Sequence, residues 1–116
     1  MIILYGLSTC DTVKKARYWL NVNQISYQWY EIRRDGIPLE LLQKFAAQLD
    51  DWQVLVNRKG STWRKFTPEQ QQLCSKIETA LPLIIEYPTL MKRPVLDTGK
   101  ELVVGFDIKI YETLLL

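Results

Sequence analysis

Hydrophobic and polar residues follow two different periods in the first third of the chain. The apolar run at residues 2–5 predicts a short buried strand, and apolar side chains at helical spacing predict a helix over 11–22, with Asp11 at its start. Between residues 25 and 33, apolar and polar positions alternate, which is typical of a strand. The chain therefore opens with a β-α-β pattern.

The middle of the chain favours helices. A helix is predicted from Pro38 through Leu49, because its apolar side chains fall on one face: Leu41, Leu42, Phe45 and Leu49. Residues 52–56 predict a helical turn, and the polar, glycine-containing residues 57–65 predict a loop.

Two further helix starts follow that loop. Thr67, followed by Pro68 and a glutamate, is typical of a helix N-terminus. A second start is predicted at Thr79, which would place Pro82 in the first helical turn, where its missing N–H has no bond to lose. This helix is expected to end near Tyr87.

The end of the chain predicts two strands and a helix. Strands at 93–97 and 101–105 would be joined by the turn at Thr98-Gly99, and Asp107 would cap a last helix. The order β-α-β, helices, β-β-α is the plan of an α/β fold with a thioredoxin-like mixed sheet. We expect a single domain over residues 1–116, with a helical insertion at about 38–87 between the second and third strands.

The overall charge balance excludes some classes of partner. With 15 basic and 13 acidic residues, the formal charge is only +2, so direct nucleic-acid binding is not expected. No apolar run is long enough to span a bilayer, and no leader pattern opens the chain. We therefore expect a cytoplasmic protein, monomeric and without a membrane partner.

The composition also limits the chemistry. The absence of histidine excludes Cys–His catalysis, and two cysteines, Cys10 and Cys74, cannot form a four-thiolate zinc site. We expect neither a metal nor a bound cofactor. Any cysteine chemistry must then depend on backbone dipoles and cationic side chains.

Cys10 lies between a predicted strand and a predicted helix. This position brings its thiol close to the backbone N–H groups of Thr12 and Val13 and to the positive end of the helix dipole, which favours the reactive thiolate. The same position also suits a small buried packing residue. These residues alone leave both interpretations open.

Cys10 has no resolving cysteine nearby, because Val13 occupies the second position of a CxxC motif. Cys74 is interpreted as a packing residue on a helix. A mixed disulfide at Cys10 would need an external thiol for its release, and glutathione is the candidate.

Cationic side chains are concentrated in two places. Residues 58–65 carry four cations and no acid, a pattern typical of a solvated face, and Lys92-Arg93 carries two more. Arg58 and Arg93 would acquire a different role if they met at Cys10, because guanidinium groups bind oxyanions and stabilise thiolates. Arg93-Pro94 is also a candidate cis peptide bond.

Four segments, LYGLSTCDTVKKARYWL, VLVNRKGSTWRK, KRPVLD and VVGF, occur in that order. Together they resemble the arsenate reductase (ArsC)/Spx family, most closely its YffB-like branch, over essentially the whole chain. The resemblance implies a thioredoxin-like fold with a helical insertion and a cis proline at Pro94. It also implies that Cys10 is the nucleophile and that Arg58 and Arg93 match arginines of the arsenate reductase oxyanion site.

The chain departs from two patterns within that family. The third arginine of arsenate reductases would fall near Gly105 and Phe106, and the histidine that precedes their cysteine is matched by Gly6. Both differences argue against arsenate reduction. The CxxC switch usual in Spx regulators cannot form with Val13 in place.

The resemblance implies a glutathione-dependent monothiol oxidoreductase, in which Cys10 forms a mixed disulfide that an external thiol resolves. Glutathione or a small thiol or disulfide substrate would be bound by five residues: Thr12, Val13, Arg58, Arg93 and Pro94. The alternative is an Spx-like regulatory protein that binds the C-terminal domain of the RNA polymerase α-subunit without catalysis. A third interpretation, less favoured because of the two departures from the arsenate reductase pattern, is an arsenate reductase.

Overall fold

The computed structural model describes residues 1–116. In chain order its strands and helices are β1 (Ile3–Gly6), α1 (Asp11–Val22), β2 (Gln28–Glu31), α2 (Ile32–Asp35), α3 (Leu39–Gln48), α4 (Ser61–Lys65), α5 (Pro68–Gln72), α6 (Ile77–Glu86), β3 (Val95–Asp97), β4 (Leu102–Val104) and α7 (Ile108–Leu115). Short 3₁₀ turns lie at Trp52–Leu55, Leu73–Ser75 and Pro88–Leu90. None of the helices combines the length and apolar character needed to cross a membrane.

The chain divides into two compact units. The first comprises residues 1–35 and 93–116, and the second comprises residues 36–92. The second unit is the predicted helical insertion, extended by a few residues at each end. That the whole chain behaves as a single domain stays a prediction.

The first unit is built on a four-stranded sheet. Its strand order is β2-β1-β3-β4, with β1 and β2 parallel and the other pairs antiparallel. This confirms the predicted mixed sheet and the predicted hairpin of β3 and β4. The parallel pair requires a crossover connection, which α1 provides.

The second strand is shorter than the alternating pattern predicted. The Ile25 amide donates to the Leu20 carbonyl (3.0 Å) and so closes the end of α1, after Gln24 turns the chain with a φ of 57°. At the other end, Ile32 begins a helical turn and is buried there. Both apolar residues serve packing outside the strand, which periodicity alone does not reveal.

The core of the first unit lies between the sheet and two helices. α1 contributes Ala16 and Leu20, which pack with Leu4 and Leu96 of the sheet and with Tyr111 of α7. All five side chains are fully buried. Asp107 caps α7 as predicted, accepting from the amides of residues 109 (2.9 Å) and 110 (3.3 Å).

The second unit corrects two predictions. Residues 57–65 are not all loop, because Ser61–Lys65 form α4. α6 begins at Ile77, not at Thr79, whose hydroxyl instead donates to the carbonyls of Leu73 and Lys76. Pro82 therefore lies inside the helix, on its exposed face. Because proline has no N–H, the carbonyl four residues before it lacks its helical partner, and water can bind that carbonyl at the surface.

The other helix predictions for this unit are confirmed. α3 starts directly after Pro38, and the helical turn at 52–55 is present. Thr67 caps α5 through a capping box with Gln70.

Candidate active site

Several of the predicted site residues lie at one edge of the sheet. The parallel strands β1 and β2 end at Gly6 and Glu31, which are paired, and the antiparallel β3 begins opposite Tyr5. The loop after β1, the start of α1 and the Arg93-Pro94 peptide before β3 therefore lie at the same edge. This arrangement places Cys10, Arg93 and Pro94 on one side of the first unit.

Cys10 is the N-cap residue of α1. Its backbone is extended (φ −81°, ψ 126°), its amide donates to the Leu7 carbonyl (3.0 Å), and its carbonyl accepts from the Lys14 amide (3.0 Å). The side chain is half-buried and makes no capping hydrogen bond. The thiol is therefore neither sealed in the core nor occupied as a helix cap, and it forms no disulfide.

Thr12 and Val13 occupy the first turn of α1, as predicted. Their amides precede the first intrahelical bond, which the Lys14 amide makes, so they have no acceptor within the helix. Thr12 is exposed, whereas the Val13 side chain is completely buried. Val13 can therefore offer a ligand only its backbone.

Gly6 and Val13 approach each other closely. A Cβ at position 6 would lie 2.9 and 3.0 Å from the two Val13 methyl groups and 3.3 Å from the Trp29 ring. Such distances leave no room for a side chain at the end of β1. The histidine of the arsenate reductase pattern does not fit there.

Arg93 and Pro94 are joined by a cis peptide bond, which confirms that prediction. Pro94 is buried, and its carbonyl accepts from the Gly105 amide (2.7 Å), so the hairpin holds it beside β4. Arg93 is half-buried, and its Nε atom is shielded from solvent. The residue therefore presents only part of its guanidinium at the edge.

Arg58 belongs to the second unit, and its hydrogen bonds are to residues of that unit. Its guanidinium donates to the side chain and the backbone carbonyl of Gln53 and, at 3.5 Å, to the Cys74 carbonyl. It also lies over the Trp63 ring, 5.2 Å from the ring centroid. The other cations of this segment are exposed, as predicted. A role for Arg58 at Cys10 stays a prediction.

Cys74 is fully buried in the 3₁₀ turn at Leu73–Ser75, so the predicted packing role is confirmed although the element is not an α-helix. Burial raises the pKa of its thiol, and the nearby Arg58 charge opposes that rise only in part. At neutral pH this thiol is therefore protonated and shielded. The chain has one thiol suited to reaction with external disulfides.

Glu31 is a site residue that the sequence reasoning missed. Its two carboxylate oxygens accept from the Ser8 amide (3.2 Å) and the Arg33 amide (3.4 Å). It thereby holds the loop between β1 and Cys10 against the end of β2. No signal in the sequence pointed to this role, because the predicted strand extended past Glu31 and the pairing of Glu31 with Gly6 is visible only in the structure.

Comparison with known proteins agrees with this geometry. The family model described as ArsC family matches residues 5–114. The chain belongs to the ArsC family. An uncharacterised protein of Haemophilus influenzae is 38% identical over 112 residues, covering 97% of this chain and 96% of that protein.

Two further ArsC-family relatives extend the comparison. The solved structure named YFFB (PA3664) protein superimposes with a TM-score of 0.90 at 35% identity, over 100% of both chains. The global transcriptional regulator Spx 2 of Bacillus anthracis is 25% identical over 108 residues, covering 92% of this chain and 81% of that protein. The ArsC thioredoxin-like fold and the likeness to the YffB branch are thus established.

The contact between Gly6 and Val13 generates a stability prediction. We expect Gly6→Ala to lower the free energy of unfolding by about 1 to 3 kcal/mol, because its methyl group would overlap the Val13 methyl groups. Urea denaturation measures the change. In the Val13→Ala background the same substitution should cost clearly less, and equal costs in both backgrounds would contradict the contact.

Proposed function

We propose that this ArsC-family chain is a glutathione-dependent monothiol oxidoreductase with Cys10 as its nucleophile. The main support is the placement of Cys10, whose half-buried and unengaged thiol lies at the N-terminus of the 12-residue α1. The helix dipole and the unpaired amides there would stabilise negative charge on the sulfur that attacks a disulfide. Glutathione is the abundant thiol of the cytoplasm, where we expect the protein to act.

The proposed cycle is a thiol–disulfide exchange. The Cys10 thiolate attacks one sulfur of a disulfide, forms a mixed disulfide and releases the other half as a thiolate, which takes a proton from water. A glutathione thiolate then attacks the sulfur bound to Cys10, restores the Cys10 thiolate and carries away the bound half as a new disulfide. In one cycle, one half of the substrate disulfide leaves as a thiol, and the other half leaves as a disulfide with the glutathione that is oxidised; when that other half is itself glutathione, the product is glutathione disulfide.

The residues around Cys10 are assigned supporting roles in this cycle. The Thr12 and Val13 amides would stabilise negative charge on sulfur, and the backbone beside Pro94 would pair with the peptide part of glutathione. Arg58 and Arg93 would bind its carboxylates and favour the thiolate. Arsenate reduction is not proposed, because Gly6 leaves no space for the histidine of that pattern.

Glutathione adducts test the nucleophile. After incubation with oxidised glutathione, intact-mass analysis should show one glutathione on the native protein, because Cys10 is accessible and Cys74 is buried. Cys74→Ser is the matched control and should still carry one adduct. Absence of an adduct on the native protein, or its persistence in Cys10→Ser, would contradict the proposal.

The arginines are tested by the rate of the same reaction. We expect Arg58→Ala and Arg93→Ala each to slow it by about ten-fold, since a charge-assisted hydrogen bond contributes roughly 1.5 kcal/mol. The exposed Arg64, whose guanidinium donates to the Lys59 carbonyl, provides the control Arg64→Ala. An unchanged rate in either variant removes that arginine from the site.

A second candidate function is regulatory. The likeness over 108 residues to Spx 2, a global transcriptional regulator, favours a regulatory role. We propose as its partner the C-terminal domain of the RNA polymerase α-subunit, which the family resemblance implies, and a role without catalysis. This function predicts that a pull-down with that domain captures the native protein and Cys10→Ser equally. A pull-down that captures neither would exclude it.

A further inference from the structure

An open groove lies on the first unit, beside α1. Its volume is about 580 Å³, and it is lined by Lys14, Lys15, Tyr18, Trp19, Val22, Phe106 and Ile108. None of these side chains has a role in the cycle proposed above. The groove is therefore a surface feature that the reaction with glutathione leaves unexplained.

The groove is apolar and exposed. Tyr18 is 70% exposed, Val22 55% and Ile108 50%, although all three are bulky apolar side chains. Exposed apolar residues scattered singly need no explanation, but these three line one groove. Their grouping is typical of a surface that another molecule covers.

The groove begins one helical turn after Cys10 along α1. Lys14 is one helical turn from Cys10, and its amide donates to the Cys10 carbonyl. From Lys14 to Val22 the groove follows α1 for about 12 Å at the helical rise of 1.5 Å per residue. On its other side, Phe106 follows β4, which ends at the same edge of the sheet as Pro94.

Positive charge marks the end of the groove that is nearest to Cys10. The ammonium groups of Lys14 and Lys15 form no ion pair or hydrogen bond with the protein, Asp11 in the same turn included. Asp107, which lies between Phe106 and Ile108 in sequence, accepts from two amides as the cap of α7 and forms no ion pair with these lysines. The lysines are therefore available to a carboxylate that the groove's occupant would bring.

We propose that this groove binds a segment of a protein substrate whose disulfide Cys10 attacks. The segment would place apolar side chains against Tyr18 and Val22 and a carboxylate, close to its cysteine, against Lys14 and Lys15. The proposal rests on the oxidoreductase function and names its substrate class. Glutathione could offer a carboxylate to the lysines, but it has no apolar side chain to place against Tyr18 and Val22.

The reaction at this site balances with glutathione as reductant. The Cys10 thiolate attacks the glutathione sulfur of a protein–glutathione mixed disulfide, and the protein cysteine leaves as a thiolate that takes a proton from water. A second glutathione thiolate attacks the same sulfur, releasing glutathione disulfide and the Cys10 thiolate. The protein disulfide gains two electrons, and two glutathione sulfurs end as one disulfide.

The test uses synthetic peptides with one cysteine as a glutathione mixed disulfide. The first peptide carries leucines and aspartates around the cysteine, the second has serines for its leucines, and the third has lysines for its aspartates. The rate with each peptide is divided by the rate with oxidised glutathione. The native protein should prefer the first peptide to each of the others by about ten-fold, which corresponds to 1.4 kcal/mol.

Variants of exposed residues locate the binding surface. Tyr18→Ser, Val22→Ser and Lys15→Glu should each reduce the preference for the first peptide several-fold. Ile110 is 45% exposed and Lys100 is exposed, and neither lines the groove, so Ile110→Ser and Lys100→Glu are the matched controls. Circular dichroism confirms that each variant is folded.

Binding is also measured without chemistry, by fluorescence anisotropy of the first peptide with serine in place of its cysteine. If Cys10 forms no glutathione adduct, the oxidoreductase function fails, while loss of peptide binding in Tyr18→Ser still supports the groove. Equal peptide rates and equal affinities in the groove and control variants overturn the groove proposal. So does sedimentation showing that the groove holds a second copy, as a dimer that Tyr18→Ser dissociates.

Discussion

The contact between Gly6 and Val13 is the constraint on which the site depends. Because position 6 has no side chain, the first turn of α1 can lie directly against the end of β1. This close packing of α1 against β1 places the N-terminus of the helix, and with it Cys10, at the edge of the sheet. A larger residue at position 6 would push the helix start away and move the thiol.

The same contact limits the chemistry available. Val13 fills the position where a CxxC motif has its second cysteine, and its side chain is completely buried against Gly6. Cys74 is shielded, and burial raises its pKa. A disulfide formed at Cys10 has no resolving partner of its own in the first turn of α1. An external thiol is the simplest reductant for such a site.

The elements around Cys10 divide the work of the proposed reaction. The first turn of α1 offers the unpaired amides of Thr12 and Val13, and Glu31 holds the loop that leads to Cys10. The cis Arg93-Pro94 peptide lies at the same edge of the sheet. The groove along α1 continues from the same edge and is apolar where glutathione is polar. One thiol would thus serve two different reactants, each recognised by a different surface.

Local sequence was sufficient for the elements that depend on local physics. The bounds of α1, the hairpin of β3 and β4, the cap at Asp107 and the position of Cys10 all follow from short-range patterns and capping rules. The Arg93-Pro94 pair made a cis peptide bond possible, and the family resemblance made it the expected form. These features needed no knowledge of distant contacts.

Tertiary structure decided the rest, because the relevant contacts join residues distant in sequence. The end of β2 was predicted wrongly, because Ile32 is buried in a helical turn and does not continue the strand. The start of α6 was predicted wrongly as well: the helix begins at Ile77, and the Thr79 hydroxyl donates to the Leu73 carbonyl of the preceding turn. Glu31 entered the site only through its parallel pairing with β1. The groove exists because β4 and the start of α7 fold back beside α1, and no local pattern encodes that proximity.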